Sequence, residues 1–61
     1  MSTEMEIRSE LKALLYDLKM IELANDGFKV KGLNLLILRT ESRMLEEDVA
    51  LVEKKVKQAQ E

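Results

Sequence analysis

The sequence contains no cysteine, no histidine, no proline and no tryptophan. Without cysteine no disulfide can form, and without cysteine or histidine the usual ligands of a zinc site are missing. The absence of cysteine also removes the thiol nucleophile, and the absence of histidine removes the side chain that most often transfers protons near neutral pH. The longest apolar run, Leu35 to Leu38, is far shorter than the roughly 20 residues that cross a bilayer. We therefore expect no metal or other cofactor, no enzymatic activity and no membrane span.

The chain is also short, with 61 residues and a mass of 7.1 kDa. A domain of this length buries only about 60% of the surface that its unfolded chain exposes, so its core barely offsets the entropy of ordering. Small domains commonly gain further stability from disulfides, metals or oligomerisation, and this composition leaves oligomerisation. We expect a single domain over residues 1–61 that forms a homodimer.

The composition that remains favours helices. Hydrophobic residues make up 46% of the chain and charged residues 36%, which is too apolar for a disordered tail. With no proline and only two glycines, long helices are expected. The net charge of −2 disfavours a general attraction to nucleic acid, and the acidic start of the chain does not resemble a signal peptide. We expect an all-α protein in the cytoplasm or elsewhere inside the cell.

A first helix is predicted over about residues 3–26. Thr3 and Glu6 have the spacing of a capping box, which satisfies free backbone N–H groups at a helix start. Apolar residues then recur at alternating spacings of four and three, as on one buried helical face: Ile7, Leu11, Leu14, Leu18 and Ile21. Asn25 to Gly27 supplies residues that favour a helix end.

A turn over 27–33 and a second helix over about 34–60 follow. Gly32 or Asn34 can cap the start of that helix. Spacings of three and four alternate from there to the end of the chain, at Leu35, Leu38, Ser42, Leu45, Val49, Val52, Val56 and Ala59. The pattern predicts one uninterrupted second helix.

The two apolar seams fit each other in an antiparallel arrangement. Pairing Ile7 with Val56 and Leu18 with Leu45 keeps one register and places the turn at the glycines. A single continuous helix would instead hold two interior glycines at a cost of roughly 2 kcal/mol, and the two seams would not join in phase. We therefore predict an antiparallel two-helix hairpin of the coiled-coil type that dimerises into a four-helix bundle.

A second set of apolar residues lies outside these seams and predicts the binding surface. A lone hairpin would leave this set in water, and soluble proteins rarely expose so large an apolar patch. We predict a protein–protein interaction module, acting as an adaptor, regulator or inhibitor, whose patch binds a second copy, another protein, or both. The predicted contact residues are Tyr16, Met20, Leu23, Phe28, Leu33, Leu36, Ile37, Met44 and Leu51.

An alternative function is a nucleic-acid-binding regulator of the dimeric hairpin type. Phe28 at the tip can stack on a base, while nearby lysines neutralise phosphates. The open end of the hairpin offers a second group of basic residues, although glutamates are interspersed with them. The lysines predicted to make these contacts are Lys29, Lys31, Lys54, Lys55 and Lys57.

Overall fold

The computed structural model describes residues 3–25 and 30–61, and these residues form three helices and no strand. Helix α1 spans Glu4–Ala24, α2 spans Leu33–Glu41 and α3 spans Glu46–Ala59. The all-helical class predicted from the sequence is confirmed. Predicted contacts at Phe28 and Lys29 lie outside the described residues, as do the last predicted residue of helix 1 and the first part of the turn.

Helix α1 begins where the sequence predicted. The Thr3 hydroxyl accepts a hydrogen bond from the backbone N–H of Glu6 at 3.2 Å, which satisfies one of the free donors of the first turn. At the other end, the side-chain amide of Asn25 donates to the carbonyl of Ile21 at 2.7 Å. The helix therefore ends at Ala24, two residues before the predicted boundary.

Helix α2 begins after Gly32, one of the two predicted caps. Gly32 has a φ of +83°, a left-handed conformation that glycine adopts without the steric penalty of a Cβ atom. The backbone N–H of Leu33 donates to the carbonyl of Val30, and that of Leu36 donates to the carbonyl of Gly32, both at 3.0 Å. This geometry turns the chain into the helix.

The predicted second helix, 34–60, is replaced by two helices with a break between them. Ser42 ends α2, and Leu45 is extended, with φ −72° and ψ 145°, before α3 begins. Two side chains close the end of α2: the Ser42 hydroxyl and the Arg43 guanidinium donate to the carbonyl of Arg39 at 2.8 and 2.7 Å. The chain is thus a three-helix fold and not the predicted two-helix hairpin.

The physical reason for the break is the direction of the buried faces. Helix α2 buries Leu33 and Ile37, whereas α3 buries Val52 and Val56. At about 100° per residue, these two faces would point about 100° apart on one straight helix. The break lets both faces pack against α1.

The core therefore differs from the predicted seam. It is formed by Leu15, Leu18, Leu33, Ile37, Val52 and Val56. Leu18, Val52 and Val56 belong to the predicted seam, but Leu15 does not, and the seam residue beside it, Leu14, is half-exposed. Helix α1 is therefore rotated about its own axis relative to the prediction, so that Leu15 and not Leu14 faces the core.

Candidate functional site

Helix α2 carries large apolar side chains on both of its faces. Leu33 and Ile37 are buried against the rest of the chain, while Leu35 and Leu38 are 59% and 61% exposed. A helix that is apolar all round is normally covered on all sides. The outer face of α2 is therefore the clearest candidate for a contact with another molecule.

Helix α1 carries a second exposed apolar row. Ile7, Leu14 and Ile21 follow one another at intervals of seven residues and are each about half-exposed. Residues seven apart lie close to one line along a helix, since two turns contain about 7.2 residues. The row lies beside the buried face of α1, about 100° around the helix from Leu15.

The row on α1 meets the α2–α3 break in a groove. The groove has a volume of about 380 Å³, and its apolar lining comes from Ile7 and Leu11 of α1 and from Met44 and Leu45 of the break. The rest of its lining is charged: Glu4, Arg8, Arg43 and Asp48. Leu45 is itself half-exposed. The exposed row of α1 is thus continuous at one end with exposed apolar groups of the break.

The exposed row of α1, the two exposed leucines of α2 and Leu45 of the break together form what we call the outer apolar set. All six belong to the predicted seams, where the sequence pattern placed them inside a hairpin, and the structure exposes all of them. Six is more than half of the 11 large apolar side chains that are exposed among the described residues. The members of the outer apolar set are Ile7, Leu14, Ile21, Leu35, Leu38 and Leu45.

The residues predicted from the sequence as the contact surface are distributed differently. Leu33 and Ile37 lie in the core of the chain itself, so they are not available to another molecule in this conformation. Tyr16, Met20 and Met44 are partly buried and pack against that core. Leu23, Leu36 and Leu51 are exposed, as predicted for a contact residue. The three-helix fold therefore leaves only part of the predicted patch on the surface.

The described lysines of the alternative nucleic-acid surface are all exposed. However, the three on α3 line three separate grooves: Lys54 lies in a groove with Arg8, Lys55 in one with Tyr16, and Lys57 in one with Leu23. Lys31 lies just before α2, outside those three grooves. Lys54 and Lys57, three residues apart on α3, are neighbours on the helix surface, whereas Lys31 lies on a different segment of the chain.

An ion pair between the partly exposed Arg8 and the buried Asp48 ties α1 to the start of α3. The Arg8 guanidinium donates two hydrogen bonds, from Nε and Nη2, to the two carboxylate oxygens of Asp48, each at 2.9 Å. Asp48 is only 2% exposed, so this two-pronged contact provides the partner that a buried charge requires. Glu47, which is exposed, lies 3.4 Å from the same guanidinium. The pair holds α3 against α1 beside the groove.

The hydrogen bonds from Arg8 hold the pKa of the Asp48 carboxyl below its ordinary value. Burial acts in the opposite direction, and the positive charges of Arg8 and Lys12 add to the lowering. The unfolded chain therefore takes up a proton at Asp48 at a higher pH than the folded chain does. This contribution to stability is fully present above the ordinary pKa and is lost as the pH falls through the lower pKa of the folded state.

We expect the free energy of unfolding to decrease as the pH is lowered below about 4. The Asp48→Asn variant should be less stable at pH 7 and should lose less of its remaining stability between pH 5 and pH 2.5. Urea unfolding followed by circular dichroism at several pH values measures both effects. Glu47→Gln is the matched control, because Glu47 is exposed and its contact with Arg8 is longer. A pH profile of Asp48→Asn that parallels the unmodified chain would contradict this assignment.

The described residues were also compared with the requirements of a metal site and of a membrane span. Over residues 3–25 and 30–61, no three side chains of the histidine, cysteine or carboxylate type are placed to hold a metal ion. None of the three helices is long and apolar enough to cross a membrane. Comparison of the chain with protein-family models, with curated proteins and with solved structures gives no significant match. A function must therefore be argued from the surface of the molecule.

Proposed function

We propose that this chain is a small protein–protein interaction module, an adaptor, regulator or inhibitor, that acts through exposed apolar helical surface. Its first partner is a second copy of itself. The observation that carries this proposal is the outer face of α2, where Leu35 and Leu38 are exposed on a helix whose opposite face is already buried. The molecule acts by binding, and its specificity resides in the shape and apolar character of that surface.

The exposed area supports self-association. The chain exposes 4966 Å², whereas a compact monomer of 7.1 kDa exposes about 4,100 Å². The excess of roughly 900 Å² is close to the ~800 Å² that each partner contributes to a protein interface of standard size. A dimer that covers the outer apolar set would bring the exposed area per chain near that of a compact protein.

Charge presents little opposition to a contact between two copies. The net charge of each chain is only −2, so long-range repulsion between copies is weak. Between Leu33 and Leu38 the one polar residue is Asn34, and no charged group in that stretch would have to leave water. Two such segments can therefore approach each other without burying an unpaired charge.

The proposal is tested by measuring mass against concentration. Sedimentation equilibrium or light scattering coupled to gel filtration, from low micromolar to near millimolar protein, should show a mass rising from 7.1 kDa to about twice that value. The transition should depend little on salt, because the contact is apolar. A mass that stays at one chain throughout this range would refute self-association.

A further inference from the structure

The groove between α1 and the α2–α3 break can receive an apolar side chain. Its volume is about 380 Å³, and its four large apolar residues are Ile7, Leu11, Met44 and Leu45. Three other grooves of the described chain lie between α1 and α3 and contain at most two large apolar side chains each. Ile7 and Leu45 are each 49% exposed, so apolar surface remains in water there. Because a cavity of about 150 Å³ admits benzene, the groove has room for a leucine side chain.

The charges around this groove cancel. Two are negative and two are positive: Glu4, Asp48, Arg8 and Arg43. Arg8 and Asp48 are already bound to each other through two hydrogen bonds of 2.9 Å. A groove without net charge does not select a charged occupant, and an apolar group can enter it without leaving a charge unpaired. The stretch of α2 from Leu33 to Leu38 contains no charged residue, so it has the chemistry that this groove accepts.

Helix α2 does not fill the groove of its own chain. No residue of Leu33–Glu41 is part of the groove lining. Leu35 and Leu38 are 59% and 61% exposed, on the side of α2 away from the buried Leu33 and Ile37. An α2 segment that enters the groove must therefore come from a second copy.

Two ways of pairing the copies cover different parts of the outer apolar set. If the outer faces of the two α2 helices met each other, only Leu35 and Leu38 of each copy would be covered. The exposed row of α1 and Leu45 would then stay in water. If α2 of each copy lay against α1 of the other, both surfaces would be covered, because every contact of a two-fold dimer is made twice. The second arrangement therefore buries more apolar surface.

The length of α2 suits the second arrangement. Its nine residues span about 13 Å at a rise of 1.5 Å per residue. The exposed row of α1 extends about 10 Å from Ile7 to Leu14 and about 21 Å from Ile7 to Ile21. Leu35 and Leu38 are three residues apart and are neighbours on the helix surface, so both can face one partner. A second copy's α2 can thus cover the groove and the first two members of the row.

We propose that α2 of each copy lies along α1 of the other, with Leu38 inserted into the groove and Leu35 against the exposed row of α1. This inference rests on the proposed self-association and specifies the surface that receives α2. The contact is made twice about one two-fold axis, so each copy contributes both a helix face and a groove. The three-helix fold of each chain is unchanged by the association.

Leu45→Asp tests the groove, because it affects the monomer and the dimer differently. Leu45 is the N-cap of α3, with an extended backbone and no side-chain hydrogen bond. An aspartate there can accept a hydrogen bond from a free N–H of the first turn, which offsets the loss of the half-exposed leucine. At concentrations where the chain is monomeric, its melting temperature should stay within about 4 °C of the unmodified chain. In the dimer the carboxylate would meet Leu38 of the second copy, and Kd should rise by more than about 100-fold.

Leu51→Asp is the matched control, because it makes the same substitution at a leucine of nearly equal exposure. Leu51 is 48% exposed and lies on α3 in a different groove, beside Lys12 and Lys54. This variant should associate within a few-fold of the unmodified chain. Sedimentation equilibrium of the three proteins measures the dissociation constants. Equal weakening by both substitutions, or tight association of Leu45→Asp, would overturn the groove as the surface that receives α2.

A second measurement uses the unmodified chain. In a dimer assembled from isotope-labelled and unlabelled copies, the methyl groups of Leu38 should show intermolecular nuclear Overhauser effects to Ile7 or Leu45. Intermolecular effects from Leu38 only to Leu35 or Leu38 of the second copy would mean that two α2 faces meet. That result would overturn the groove contact and leave self-association intact. A monomeric mass at every concentration would overturn both.

Discussion

Leu15→Ala is expected to lower the free energy of unfolding by about 2.7–5 kcal/mol. Leu15 is 0% exposed and lies on the face of α1 toward the core, so its truncation removes apolar contacts and leaves a cavity. A domain of 61 residues has a total stability of roughly 3–9 kcal/mol. The variant should therefore lose between about a third of its stability and all of it. Urea unfolding followed by circular dichroism, at a few micromolar protein, measures the loss.

Leu14→Ala is the matched control, because it makes the same substitution one residue earlier in the same helix. Leu14 is 45% exposed, and its truncation should cost about 1 kcal/mol or less in the monomer. The hairpin predicted from the sequence places Leu14 in the seam and demands the reverse order. If Leu14→Ala proves more damaging than Leu15→Ala in the monomer, the three-helix packing described here is incorrect.

The first helix could be predicted from the sequence because its signals are local. Thr3 caps the start through its own side chain, and Asn25 closes the end through a hydrogen bond four residues back. Neither depends on a distant part of the chain. Gly32 is a similar case, because the left-handed conformation it adopts is available to glycine at little cost.

The break in the second helix could not be predicted from the apolar repeat, because its local signals are weak: three acidic residues fill the first turn of α3, but no glycine, proline or side-chain cap precedes them. The repeat from Leu35 to Ala59 continues through Ser42 and Leu45, and the side chains that close α2 are ordinary helix residues. What separates α2 from α3 is the competition between two buried faces about 100° apart for one partner helix. This competition exists only once α1 is present, so it is a tertiary effect.

The division between buried and exposed apolar residues differs from the prediction for the same reason. Periodicity places apolar residues on helical faces but does not say which face turns inward, and the fully buried Leu15 belongs to neither predicted set. Ile37 was assigned to the surface and is buried, while Leu38 was assigned to the interior and is exposed. In the proposed dimer, the second copy would cover apolar positions that one chain leaves exposed.

Leu38→Glu is expected to abolish self-association, with a loss of more than about 100-fold in Kd. Each dimer would contain two such carboxylates, and each would lose water on entering an apolar contact without gaining a partner. The monomer should retain its fold, since Leu38 is among the most exposed apolar residues described and surface substitutions change stability by about 0.5 kcal/mol or less. Sedimentation equilibrium and a melting curve at low concentration measure the two effects separately.

Gln58→Glu provides the control for charge, because it adds the same single negative charge at an exposed position of α3 that lies outside the apolar seam. It should leave the dissociation constant within a few-fold of the unmodified chain. Equal weakening by both substitutions would mean that net charge, not the apolar face of α2, governs association. Normal association of Leu38→Glu would exclude that face from the contact. The contrast between a lost dimer and an intact monomer is what distinguishes an interaction surface from a poorly covered core, because an unpaired carboxylate in the apolar core would strongly destabilise the folded chain.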